Sequence, residues 1–104
     1  MTGQAGPVTA SRVVTIVNKK GLHARAAHKF VQCAGRFSAD ITVVRDGATV
    51  PALSIMGLLM LAAAQGSTME LRASGADAEQ ALEALAELIA NKFDETETVG
   101  GESE

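Results

Sequence analysis

Aromatic side chains are almost missing from this sequence, which has no tryptophan, no tyrosine and only three phenylalanines in 104 residues. A surface without aromatic platforms is poorly suited to stacking unpaired bases, so no nucleic-acid partner is expected. The single cysteine, Cys33, excludes an internal disulfide and suits a reducing compartment. It has no Cys-x-x-Cys partner, and His23 and His28 are spaced off a common helix face, so no metal is expected. Long apolar runs are also lacking. The longest, "IMGLLMLAAA", falls short of the roughly 20 residues that span a bilayer. The opening "MTGQAGPVTASR" has neither a basic nor an apolar signal-peptide region, so a cytoplasmic location without membrane insertion is expected.

Charge is present but unevenly spread. Five of the twelve acids fall from Asp94 onward, whereas residues 12–93 hold all nine basic residues against seven acids. The net charge of −3 therefore conceals a body of +2. Lys19, Lys20, Arg25 and Lys29 gather around His23, giving a basic pole suited to an anionic ligand or partner.

The length suits one domain. Residues 1–10 read as a disordered leader, 11–94 as the domain and 95–104 as an acidic disordered tail. "RVVTIVN", residues 12–18, is β-branched and reads as a strand. After Gly21 the period changes: Ala27, Phe30, Val31 and Ala34 form one helix face that ends at Gly35. "ADITVVRDGATVPA" reads as a hairpin turning at Asp46-Gly47, with Pro51 confining its second arm to a short edge strand. "SIMGLLML" reads as a short helix capped by Ser54, with Ile55, Leu58 and Leu59 on its apolar face. "TMELRA" alternates as a half-buried strand. Asp77 and Gln80 resemble a capping box opening a last helix. Leu82, Leu85, Ala86, Ile89 and Phe93 form its buried stripe, opposite a solvated ridge of Glu79, Glu83 and Glu87. The order β-α-β-β-α-β-α implies an α+β fold. Its economical form is a two-layer open-faced sandwich, a four-stranded antiparallel sheet with three helices on one face.

His23 stands where the first helix begins. The first amides of a helix lack internal partners and, with the positive end of the macrodipole, form an anion site. An imidazole nitrogen is an effective nucleophile near neutral pH. Arg25 offers a planar fork of donors to phosphoryl oxygens. These parts suit reversible phosphoryl transfer.

The segment "GLHARAA" resembles the active-site signature of the HPr family, the histidine-containing phosphocarriers of the bacterial phosphoenolpyruvate-dependent phosphotransferase system. "LSIMGLLMLAAAQGS" resembles that family's second signature, around its regulatory serine. The resemblance covers residues 12–94. It implies that His23 accepts a phosphoryl group on Nδ1 from phosphorylated enzyme I and passes it to an enzyme IIA-type acceptor. Such a protein is a covalently loaded carrier rather than an enzyme, and needs no cofactor. The resemblance further implies phosphate support from Arg25 and from the backbone amides of Ala24 and Arg25. It marks Ser54 as a target of HPr kinase/phosphorylase. It also implies partner docking through Ala27, Ile55, Met56 and Leu59, and a monomer is expected because a carrier must present one face to successive partners. Where the family usually carries proline after the arginine, this chain has Ala26, which is similar to the nitrogen-related branch.

Two other classes fit parts of the pattern. A small ligand-sensing regulatory module of similar element order would bind without covalent chemistry and would not need His23. An acyl-phosphate hydrolase would want a water-positioning amide and an arginine, for which Asn18 and Arg25 are available. Covalency separates them, because only a carrier holds a stoichiometric, acid-labile phosphate on histidine.

Overall fold

Seven regular elements run through the computed structural model, which describes residues 9–95. They are β1 (Thr9–Thr15), α1 (Ala24–Ala34), β2 (Asp40–Arg45), β3 (Ala48–Pro51), α2 (Ile55–Met60), β4 (Thr68–Ser74) and α3 (Ala78–Ala90). The strands form one antiparallel sheet in the order β1-β4-β2-β3. Alternation decides which face is covered. Met69, Leu71 and Ala73 of β4 are buried, while Arg72 between them is exposed. Val14 pairs with Met69, and Val43 pairs with Leu71, so the buried set continues across the sheet. α3 packs over β1 and β4, and α1 packs against α2 and α3. Phe30, Leu58, Leu85 and Ile89 fill the layer between helices and sheet. The architecture is the open-faced sandwich expected from the element order.

The local signals mostly act as anticipated. Asp46 and Gly47 both adopt positive φ (51° and 82°), which matches a two-residue turn to the twist of β2 and β3. β3, with Pro51 at its end, is the four-residue outer strand. Glu79, Glu83 and Glu87 are all exposed.

Five details differ. β1 begins at Thr9 rather than residue 12, because it pairs with the whole of β4 from Thr9↔Ser74 to Thr15↔Thr68. Thr9 and Ala10 therefore belong to the sheet, and the rest of the expected leader lies outside the described residues. Asp77 does not cap its own helix. Its carboxylate instead accepts from the Ser38 and Ala39 amides, at 2.8 and 2.9 Å, tying α3 to the approach of β2. Ile55 is half exposed, and Leu58 is the only fully buried residue of α2. Ala86 is only partly buried. Phe93 lies beyond α3, in a left-handed turn at Lys92–Asp94 with φ of 60°, 56° and 61°.

Left-handed backbone costs about 1–2 kcal/mol for each non-glycine residue. Here the Phe93 ring is fully buried against α1 and α3, and that burial offsets the turn. The turn leads to Glu95, the first residue of the expected acidic tail. Residues 96–104 lie outside the described residues.

Candidate functional site at the start of α1

The chain leaves β1 through Ile16 and enters a loop anchored by Asn18, a fully buried polar residue. One Asn18 Nδ2 hydrogen goes to the Gly21 carbonyl at 2.9 Å. The Nδ2 group also reaches both carboxylate oxygens of Glu95, at 3.2 and 3.3 Å. The amide orientation follows from this network, because the reversed group would set its oxygen against a carbonyl and a carboxylate. Gly21 has φ of 68°, and a Cβ there would stand 2.6 Å from the Ala63 carbonyl oxygen. The next amide, Leu22 N–H, donates to that same oxygen at 2.8 Å. The loop is thus pressed against the connection between α2 and β4.

His23 follows as the N-cap of α1, in extended backbone. Its carbonyl accepts the first helical bond, from Ala27 N–H at 2.8 Å. The amides of Ala24, Arg25 and Ala26 come before any intrahelical acceptor and have no partner among the described residues. No acidic side chain occupies the first turn, and His23 makes no side-chain cap. The positive end of the helix is therefore unneutralised by α1 itself. Ala24 and Arg25 are exposed, and the Arg25 guanidinium has no polar contact among the described residues. The imidazole Nε2 is hydrogen-bonded to the Glu95 carboxylate. The two side chains are 26% and 12% exposed, so the pair is partly withdrawn from water. Nδ1 has no partner among the described residues.

Ser54 is the N-cap of α2, and its Oγ accepts from Gly57 N–H at 2.9 Å. Around it an apolar patch faces solvent: Leu53, Ile55, Met56 and Met60 are 61, 36, 68 and 77% exposed. Leu59 is partly buried. Ala27, expected on the docking surface, is fully buried under α1, where a small side chain allows close packing. Sequence reasoning passed over Leu53 and Met60, although both lie within the serine segment. It also passed over Glu95, for which no local pattern gives a sign.

Among the described residues, no three metal-ligating side chains converge, and no helix is long and apolar enough to cross a membrane. A cleft of about 500 Å³ opens between α1 and α3 beside Cys33, but it reaches neither His23 nor Ser54.

The class of protein is thus set by its fold, a small open-faced sandwich that presents one histidine at a helix start. Comparison with known proteins narrows the class. The family described as "PTS HPr component phosphorylation site" matches residues 10–91. The chain is 51% identical to the phosphocarrier protein HPr of Cupriavidus necator, over 83% of this chain and 97% of that one. It is 49% identical to the phosphocarrier protein NPr of Shewanella violacea, over 81% of this chain and 92% of that one. Among solved structures it is similar to HPr-C-His from Thermoanaerobacter tengcongensis. That match has a TM-score of 0.80 and 45% identity, covering 85% of this chain and 99% of the other. An HPr dimer from the same organism matches with a TM-score of 0.67 and 49% identity, over 79% and 94%. The chain belongs to the HPr family, the phosphocarriers of the phosphotransferase system.

Proposed function

We propose that His23 is the residue that carries the phosphoryl group, on Nδ1, received from phosphorylated enzyme I and passed to an enzyme IIA-type acceptor. The observation that supports this most directly is the ring's setting. Nε2 is engaged by Glu95, and among the described residues Nδ1 has no partner and three open amides begin the helix beside it. A bound phosphoryl group brings close to two negative charges. Each helix-terminus interaction stabilises such a charge by typically about 0.3–1 kcal/mol, enough to hold it and too little to trap it. The exposed Arg25 adds a fork of donors, and the Ala24 and Arg25 amides complete the cradle. Phosphate is loaded and unloaded without turnover, so the protein acts in the cytoplasm as a carrier, not an enzyme.

The patch of Leu53, Ile55, Met56 and Met60, with Leu59 at its edge, is the docking surface for successive partners, on a monomer. Ser54 stands inside that patch, where HPr kinase/phosphorylase adds a charge that deters docking.

The test is intact-mass spectrometry after incubation with phosphoenolpyruvate and an active enzyme I. Wild type is expected to gain one acid-labile phosphate, and His23→Ala none. A wild type that stays unmodified would favour a ligand-sensing module on this fold.

A further inference from the structure

We propose that Met56 and Met60 form a peroxide-sensitive modification site, an inference that rests on the exposed patch around α2 being the docking surface. Oxidation of the two thioethers to sulfoxides turns that surface from apolar to polar and leaves the fold intact. Of the four methionines, Met1 lies outside the described residues and Met69 belongs to the core, 2% exposed. Met56 and Met60 are the reverse, 68 and 77% exposed. They stand four residues apart in α2, so both side chains share one face of the helix. The other exposed members of the patch, Leu53 and Ile55, end in hydrocarbon and are inert to peroxide, so the oxidisable atoms of the patch are these two sulfurs. The contacts that hold α2 in place use neither of them. Leu58 is buried beneath the helix, the Ser54 hydroxyl accepts from Gly57 N–H, and the Arg45 guanidinium donates to the Leu61 carbonyl. The sole thiol, Cys33, is buried in α1, with the Arg36 guanidinium 3.5 Å from its Sγ.

The oxidant is hydrogen peroxide. A sulfur lone pair attacks one peroxide oxygen, and an S–O bond forms. The O–O bond breaks and its electron pair leaves on the second oxygen. That oxygen takes the proton from the transferred one and departs as water. The sulfur is oxidised by two electrons and the peroxide is reduced by two. A flexible apolar side chain has become a polar one. Covered by a partner, the S=O dipole costs free energy unless it meets a donor. Methionine adapts its shape to successive partners, and the same soft thioether is what peroxide attacks. Sulfoxide reductases return the thioether, so the modification is reversible. It acts on the surface that a charge on Ser54 also affects, and it needs no kinase.

The test treats the full chain with hydrogen peroxide, folded and in urea, and locates the added oxygen atoms by peptide mass mapping. In the folded protein Met56 and Met60 should oxidise at least about tenfold faster than Met69, a difference that urea should erase. The oxidised protein should unfold at the urea midpoint of the untreated one. Its KM as a substrate of phosphorylated enzyme I should rise about tenfold, and peptide methionine sulfoxide reductases should restore it. A chain carrying Met56→Leu and Met60→Leu has a KM of its own, and peroxide should leave that value where it was. Cys33→Ala should respond to peroxide as wild type does. Equal oxidation of Met69 in the folded protein would overturn the site. So would a peroxide-dependent loss of transfer in the double-leucine chain, which would put the damage elsewhere. Leu53→Asp separates this inference from the docking reading. If that variant raises KM and oxidation does not, the surface docks but its sulfurs are no switch. If neither raises KM, the docking surface is misplaced and this inference falls with it.

Discussion

At position 21 a single carbon atom decides whether the site can form. The left-handed φ and the 2.6 Å approach to the Ala63 oxygen both exclude a side chain. Gly21→Ala should lower stability by at least about 2 kcal/mol, combining the left-handed penalty with displacement of backbone. Urea unfolding would show it as a fall in midpoint. The neighbouring residues differ in how far they can be read in advance. His23 was legible because a histidine at a change of period is a local event. Glu95 was not. It lies 72 residues from His23, and one acid in an acidic tail looks like its neighbours until the turn that carries it is known. Ala27 misled for the opposite reason, since a helical face can be inferred from spacing while the depth of a small residue on it cannot.

Helix starts divide into two kinds here. Ser54 caps α2 in the ordinary way, so Ser54→Ala should cost about 1 kcal/mol of stability. Ser54→Asp keeps a capping oxygen and should leave stability near wild type while weakening docking to enzyme I, measurable by calorimetric titration. An unchanged affinity in that variant would remove Ser54 from the docking account. Asp77 occupies the same position in α3 but serves another element. Asp77→Ala should therefore cost about 2 kcal/mol by stripping two amides of a charged acceptor. The loss should appear as faster hydrogen exchange at Ser38 and Ala39, with the start of α3 little changed. Strand periods, the Asp46-Gly47 turn and the helix stripes were all visible in the pattern of residues, because each is local. The destination of the Asp77 carboxylate was not, because it depends on which loop folds back beside it.

Over the whole molecule, Phe93 joins stability to chemistry. It is fully buried, and its truncation in Phe93→Ala should cost about 3–5 kcal/mol, read from thermal or urea unfolding. The same variant should release Glu95 from His23, so phosphotransfer should weaken even where the fold survives. The layer architecture was legible from element order alone. The length of β1 was not, since the seven residues of β4 opposite set it.

The clamp between Leu22 and Ala63 also has a consequence in time. The connection that accepts from Leu22 is held from its other side by Arg45, whose guanidinium donates to the Leu61 carbonyl at 2.9 Å and to the Ser67 hydroxyl at 3.2 Å. The histidine loop and the segment that follows the serine helix are also joined where Ile16 exchanges bonds with Gly66 and Ser67, and where the Gln65 amide donates to the Val17 carbonyl. The Leu22 amide thus becomes a clock for this seam: its exchange rate with solvent counts how often the loop before His23 parts from the connection at Ala63.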